Sequence, residues 1–151
     1  MIKRFLLADD DEDDAMLFRE ALKDIDPEII CYYALDGREA IHKLDKEEFE
    51  IPHIIFLDVN MPGMDGWLCL TRLKEDSRFN HIPVIMYSTS SYKKDADKAL
   101  ELGALCFFTK PNDFKQLKKI LEVVASNLNG DLLNAISMFD GIKFQKSFSC
   151  S

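Results

Sequence analysis

Apolar residues in this chain come in short unbroken blocks. Each block gives way to polar residues and then to apolar positions spaced three and four apart. Phe5-Leu6-Leu7-Ala8 is the first block, and it ends at Asp9. Ala15, Phe18, Leu22 and Ile25 follow at the spacing of one helix face, with Pro27 just beyond, where helices commonly stop. Ile29 to Leu35 reads as a second strand. Asp36-Gly37 is a turn, and Asp36 can cap a helix whose inner face is Ala40, Ile41 and Leu44. Ile54 to Leu57 is the third strand, and it stops at Asp58. Pro62, Gly63 and Gly66 mark a loop, and Asp65 can cap a helix from about Gly66 to Glu75 with Trp67, Leu70 and Leu73 inside.

The rhythm continues. Pro83 to Tyr87 is the fourth strand, its proline at the start, where a missing N–H does least harm. Ser88-Thr89-Ser90-Ser91 comes next, then a helix with Ala96, Ala99 and Leu100 that ends at Gly103. Leu105 to Phe108 is the fifth strand, closing at Thr109-Lys110-Pro111. The last long helix carries Phe114, Leu117, Leu121, Val124 and Leu128 on one face. Strand–helix repeated five times, with strands apolar almost throughout, predicts a doubly wound α/β fold, (βα)5, with a parallel sheet covered on both sides. The pattern sets one domain over residues 1–128. Residues 129–151 depart from it: Leu132, Leu133, Ile136 and Phe139 suit a short sixth helix, and Lys143 to Ser151 a loose tail.

Composition narrows the function. The chain has 151 residues, 47% hydrophobic and 30% charged, enough for a packed core. A net charge of -8 argues against direct nucleic-acid binding, which calls for a basic face. No apolar stretch approaches the roughly 20 residues of a membrane span, and the apolar run after Met1 is too short for a signal peptide. Cys31, Cys69, Cys106 and Cys150 are scattered without a CxxC pair, which suits reduced thiols and a cytoplasmic setting. His42, His53 and His81 show no metal-ligand spacing.

The chemistry is concentrated where strands end. The first strand ends at Asp9 and Asp10, the third at Asp58, the fourth at Ser88 and Thr89, the fifth at Lys110. In an open parallel sheet these ends share one edge, and ligands bind there at the point where strand order reverses. For strand order 2-1-3-4-5 that point lies between strands one and three, where Asp9, Asp10 and Asp58 would meet. Three close carboxylates call for a hard divalent cation, and Mg2+ suits oxygen ligands. A metal-neutralised carboxylate beside Lys110, with the Ser88 hydroxyl near, is a sensible phosphoryl acceptor.

Four segments, LLADD, FLDVNMPGMDG, PVIMYSTS and LCFFTKP, occur in this order at the ends of strands one, three, four and five. Together they resemble the CheY-like receiver domain of two-component response regulators, over about Ile2 to Leu128. The resemblance implies a flavodoxin-like fold and the following roles. Asp58 accepts a phosphoryl group as an acyl phosphate from a phosphohistidine on a sensor histidine kinase or histidine phosphotransfer protein. Asp10, Asp58 and the carbonyl of Asn60 ligate Mg2+, with Asp9 acting through water. Lys110 pairs with the phosphoryl group. Ser88 is the switch hydroxyl, and Phe107 is the aromatic that moves with it. Pro111 follows a cis peptide bond. Phe107 replaces the frequent tyrosine, so no phenol is offered to a partner, and Thr89 stands where a smaller residue is usual, narrowing the phosphoryl pocket. The protein would signal to a downstream protein target without a separate output domain, catalysing only its own phosphorylation and dephosphorylation. A homodimer could form through the fourth helix, fifth strand and fifth helix or through the C-terminal extension.

Plainer readings stand beside these. Asp11 to Asp14 suit a solvated helix start, since acids favour helix N-termini. Ser88 and Thr89 could cap a helix, Lys110 could lie on the surface, and Phe107 could be core. Lys93, Lys94 and Lys98 read as a solvated helix face. Two other classes fit the architecture. Asp9-Asp10-Asp11 superficially supplies the DxD nucleophile motif of a haloacid-dehalogenase-type phosphatase, but near Lys110 only Asp113 offers its later acidic pair. A flavodoxin-like FMN binder needs a first loop rich in phosphate donors, and this loop is acidic.

Overall fold

In the computed structural model, which describes residues 1–138, strands and helices alternate without exception through ten elements: β1 (Arg4–Ala8), α1 (Glu12–Ile25), β2 (Ile30–Ala34), α2 (Gly37–Asp45), β3 (Ile54–Leu57), α3 (Gly66–Glu75), β4 (Val84–Ser88), α4 (Lys93–Glu101), β5 (Cys106–Thr109) and α5 (Phe114–Ser126). A short α6 (Leu132–Met138) follows. The strands are all parallel, in the order β2-β1-β3-β4-β5. This is the doubly wound flavodoxin-like arrangement the alternation predicts.

The sheet separates two cores. Leu6, Ala8, Ile55, Leu57, Val84, Met86 and Phe107 face α2, α3 and α4. Phe5, Leu7, Ile54, Phe56, Ile85, Tyr87, Cys106 and Phe108 face α1 and α5. Successive strand residues point to opposite faces, so each strand must be apolar on both, which is why the strands read as continuous blocks. Phe18 of α1 meets Phe56 edge-on at 5.0 Å between ring centres and Tyr87 at 5.9 Å, and Phe56 and Tyr87 are themselves 6.0 Å apart. Edge-to-face geometry of this kind adds to simple burial, and locks α1 against the two central strands.

Several local expectations differ from what is found. β2 lies at the edge, where the order 2-1-3-4-5 puts it, but its Ile30 to Tyr33 are only partly covered or exposed, unlike the fully buried β3. Ile41 and Trp67 pack at the margin of their core rather than within it, while Cys69 is fully buried. Leu128 lies past the end of α5, where Asn127 caps the helix and donates its side-chain N–H to Val123 O at 2.7 Å, yet it still packs, partly buried, on the expected core, which Ile120 and Ala125 also join. Leu132 and Ile136 of α6 are buried against the α1–α5 core, so this turn of the extension packs on the domain. Phe139 and the Lys143 to Ser151 segment lie outside the described residues. The peptide before Pro111 is trans, as are all the others among the described residues, which corrects the cis expectation. Trans is the intrinsically favoured isomer even before proline.

Candidate functional site: an acidic crevice at the strand ends

The sheet's hydrogen-bond ladder carries each polar residue to its place. Asp58 N–H donates to Ala8 O at 2.9 Å, Asp9 N–H to Ala34 O at 3.1 Å, and Lys110 N–H to Ser88 O at 2.6 Å. Each of these residues therefore stands one step beyond a strand end, on the same edge. β1 and β3 are neighbours, and the chain order reverses between them, so the acids border the crevice where such folds bind ligands.

Asp9, Asp10 and Asp58 each offer a carboxylate oxygen, and these oxygens all lie within 4.8 Å of one another. It is the one such group of metal-ligating side chains among the described residues. Asp9 is fully buried and Asp58 nearly so, while Asp10 is exposed. An all-oxygen set without thiol or imidazole suits a hard cation such as Mg2+. Lys110 Nζ is 2.9 Å from Asp9 and 3.5 Å from Asp58. It is also 2.8 Å from Asp14, which corrects the reading of Asp14 as a merely solvated acid. Asp11 caps α1, its Oδ1 accepting from the N–H groups of Asp13 and Asp14. That use of its carboxylate leaves the DxD phosphatase reading without its second acid.

Three carboxylates, Asp9, Asp14 and Asp58, thus share one ammonium, with Asp10 close by. Burial pushes the Asp58 carboxyl well above the usual carboxylate range; Lys110 opposes this, and Asp9 adds to it. Burial also works against the charge on Lys110, but its bonds to Asp14 and Asp9 outweigh that and hold its pKa above the ordinary lysine value. The site is therefore deficient in positive charge, and the deficit is concentrated on Asp58.

Surrounding groups fix the geometry. A Cβ on Gly66 would stand 2.1 Å from the backbone oxygen of Asp58, so only glycine lets α3 start so close beneath the acid. Gly66 N–H donates to Val59 O at 2.9 Å, closing that loop. Tyr33 donates its hydroxyl to Asp9 O at 2.8 Å, and the Tyr87 ring lies 5.4 Å from Lys110 Nζ. Asn60 is exposed at the rim, its N–H 3.4 Å from Asp58 Oδ1.

Ser88 is fully buried, and its Oγ accepts from Ser90 N–H at 3.2 Å. Thr89 is exposed at the mouth. Thr109 donates to Ser90 O at 2.8 Å, and Ser90 donates to Asp95 in the first turn of α4. The loop after β4 is thus tied both to β5 and to α4, a set of contacts that local sequence patterns did not suggest. Phe107 is fully buried in the α2–α3–α4 core. Away from the crevice, burial pushes the Cys31 and Cys69 thiols up to about 12, which makes them poor nucleophiles. Cys150 lies outside the described residues. On α4, Lys93 pairs with Asp97 at 3.0 Å, and Lys98 lies over the Trp67 ring at 4.8 Å.

An open parallel sheet of this order, with acids at the β1 and β3 ends and a lysine at the β5 end, defines a receiver domain. The chain belongs to the response regulator receiver domain family, whose model matches residues 5–122. Response regulator Rcp1 from Synechocystis is 34% identical over 130 residues, spanning 82% of this chain and 87% of Rcp1. A protein-glutamate methylesterase/protein-glutamine glutaminase from Methanococcoides burtonii is 36% identical over 143 residues, or 88% of this chain. The chain spans only 39% of that protein's length. Among solved structures, the Mn2+-bound form of Rcp1 superposes with a TM-score of 0.73 at 30% identity, covering 82% of this chain and 92% of the other. The phosphorylated cyanobacterial phytochrome response regulator RcpA superposes at 0.78 and 28% identity, covering 86% and 96%.

Proposed function

We propose that this receiver domain is a phosphoryl-accepting switch with Asp58 as acceptor. The observation that carries the reading is the convergence of Asp9, Asp10, Asp58 and Lys110, from three strand ends, on one crevice. Residues 1–128 form the receiver, and residues 129–151 an extension. The phosphoryl donor is a phosphohistidine on a sensor kinase or phosphotransfer protein, and the readout is a downstream protein target.

In the forward step an Asp58 oxygen attacks phosphorus, the P–N bond breaks, a P–O bond forms and the imidazole leaves. Water attacking the same phosphorus later breaks the new bond and releases inorganic phosphate. Asp9, Asp10 and Asp58, with the Asn60 carbonyl, would hold Mg2+, which supplies charge compensation to the transferring group. Lys110 supplies the fixed positive charge of the protein itself and orients the phosphoryl oxygens. The Mn2+ bound by Rcp1 and the phosphorylation of RcpA support both assignments by likeness.

The Ser88 hydroxyl, rotating from Ser90 N–H toward the phosphoryl oxygens, would release one tie of the loop that Thr109 and Asp95 also hold. Phe107 would repack with it, biasing α4 and β5 toward a second arrangement. Incubation with acetyl phosphate and Mg2+ tests the reading. One phosphoryl group per chain is expected, none without the metal, and none in Asp58→Asn. Labelling that persists in Asp58→Asn refutes the assignment.

A further inference from the structure

The lysine ammonium has three N–H donors. At Lys110 they face three carboxylates: Asp14 at 2.8 Å, Asp9 at 2.9 Å and Asp58 at 3.5 Å. Two of these partners, Asp9 and Asp58, belong to the oxygen trio suited to a divalent cation; Asp14 does not. Asp14 reaches across from the first turn of α1, and its side chain is 34% exposed against 9% for Lys110. The ring of Tyr87 closes another side of the ammonium. A dication held by the trio would repel the ammonium and would compete with it for the oxygens of Asp9 and Asp58. Of its three carboxylate partners, Asp14 would then be the one left to hold Lys110 in the crevice.

Resting on Asp58 as the phosphoryl acceptor, we propose that Asp14 is a positioning residue for phosphoryl transfer. It tethers the Lys110 ammonium at the rim of Asp58 while the metal trio is engaged, so that Nζ meets the incoming phosphoryl oxygens without first having to be recruited from solvent. The tether is a salt bridge spanning 96 positions of sequence, from α1 to the end of β5.

The test compares Asp14→Asn, Asp14→Glu, Lys110→Ala and the Asp14→Asn/Lys110→Ala double variant, each checked for parental thermal unfolding. Initial rates of labelling by acetyl phosphate at saturating Mg2+ and the affinity for beryllofluoride, an acyl-phosphate mimic, are measured. Asp14→Asn should lower both by about tenfold, within the range of coupled charged neighbours. Asp14→Glu should recover most of the loss, and Asp14→Asn should add nothing in the Lys110→Ala background. In Mg2+-saturated protein without a phosphoryl donor the two ε-methylene protons of Lys110 should give separate NMR signals that merge in Asp14→Asn, a readout independent of phosphorylation; in metal-free protein, where Asp9 and Asp58 also hold the ammonium, they should stay separate in both.

A parental rate in Asp14→Asn, an equal loss in both backgrounds, or failure of glutamate to rescue overturns the tether. If Asp58→Asn is inert while Asp14→Asn is parental, the tether alone falls. If Asp58→Asn still labels, the acceptor reading falls and takes the tether with it.

Discussion

Replacing Asp58 by asparagine should stabilise the metal-free protein, although it removes the proposed acceptor. The Asp58 carboxyl is raised from an ordinary 3.8 to about 7, burial being the main cause and Asp9 adding to it. A tenfold change in a protonation constant is worth about 1.4 kcal/mol, so ionising Asp58 within the fold costs at most roughly 4 kcal/mol. Lys110 can follow the charge and Asp10 admits water, so half of that, about 2 kcal/mol, is the figure to expect. The sign follows from proton counting. Between pH 3.8 and about 7 the folded state holds a proton on Asp58 that the unfolded chain has lost. Folding stability therefore falls as pH rises through that window. Asparagine has no such proton, so the variant should match the parent near pH 4 and exceed it increasingly up to about pH 7. For a chain of this length about 2 kcal/mol corresponds to roughly 4–8 °C in Tm.

The assay is thermal and urea unfolding in EDTA across this pH range, repeated with Mg2+. A saturating ligand stabilises by mass action, about 2.7 kcal/mol at a hundredfold its Kd. Mg2+ should thus raise the parent's Tm at pH 8 and leave the variant much less affected. A variant less stable than the parent at pH 8 in EDTA would refute the charge-deficit argument.

Other perturbations probe the scaffold. Gly66→Ala places a methyl group against the Asp58 carbonyl, and because the neighbour is backbone it should cost about 3 kcal/mol in urea unfolding and weaken Mg2+ binding. Thr109→Val removes the bond to Ser90 O and should cost about 1 kcal/mol; amide exchange should quicken at Ser90 and Tyr92, and uniform exchange across the loop would contradict the tie. Tyr33→Phe removes the hydroxyl bonded to Asp9 O; a loss of about 1 kcal/mol is expected, together with weaker Mg2+ binding in calorimetry.

The parallel sheet and the acid-tipped strands were legible because both signals are local. A strand buried on two faces has to be apolar at consecutive positions, and a charge directly after it has to sit at the sheet edge. β2 reads as apolar as its neighbours, and its edge position follows from the strand order, but only tertiary contacts decide how much of it is covered. Asp14 reads as solvated in the sequence because its partner, Lys110, is remote and nothing near either residue marks the pairing. The Ser90–Thr109 bond was hidden for the same reason. Asp11 and Asp14 are the same letter, yet Asp11 caps α1 and Asp14 reaches the crevice, because helix geometry sends their side chains in different directions.

The most direct measurement is to locate the phosphoryl group chemically. Borohydride reduces an aspartyl phosphate to homoserine, so protein treated with acetyl phosphate and Mg2+, reduced and digested carries a permanent mark at the residue that was phosphorylated. Homoserine at position 58 and nowhere else is the expected result. A mark at position 9 or 11, or a stable phosphate on a hydroxyl residue with position 58 untouched, would contradict the assignment of Asp58 as the acceptor.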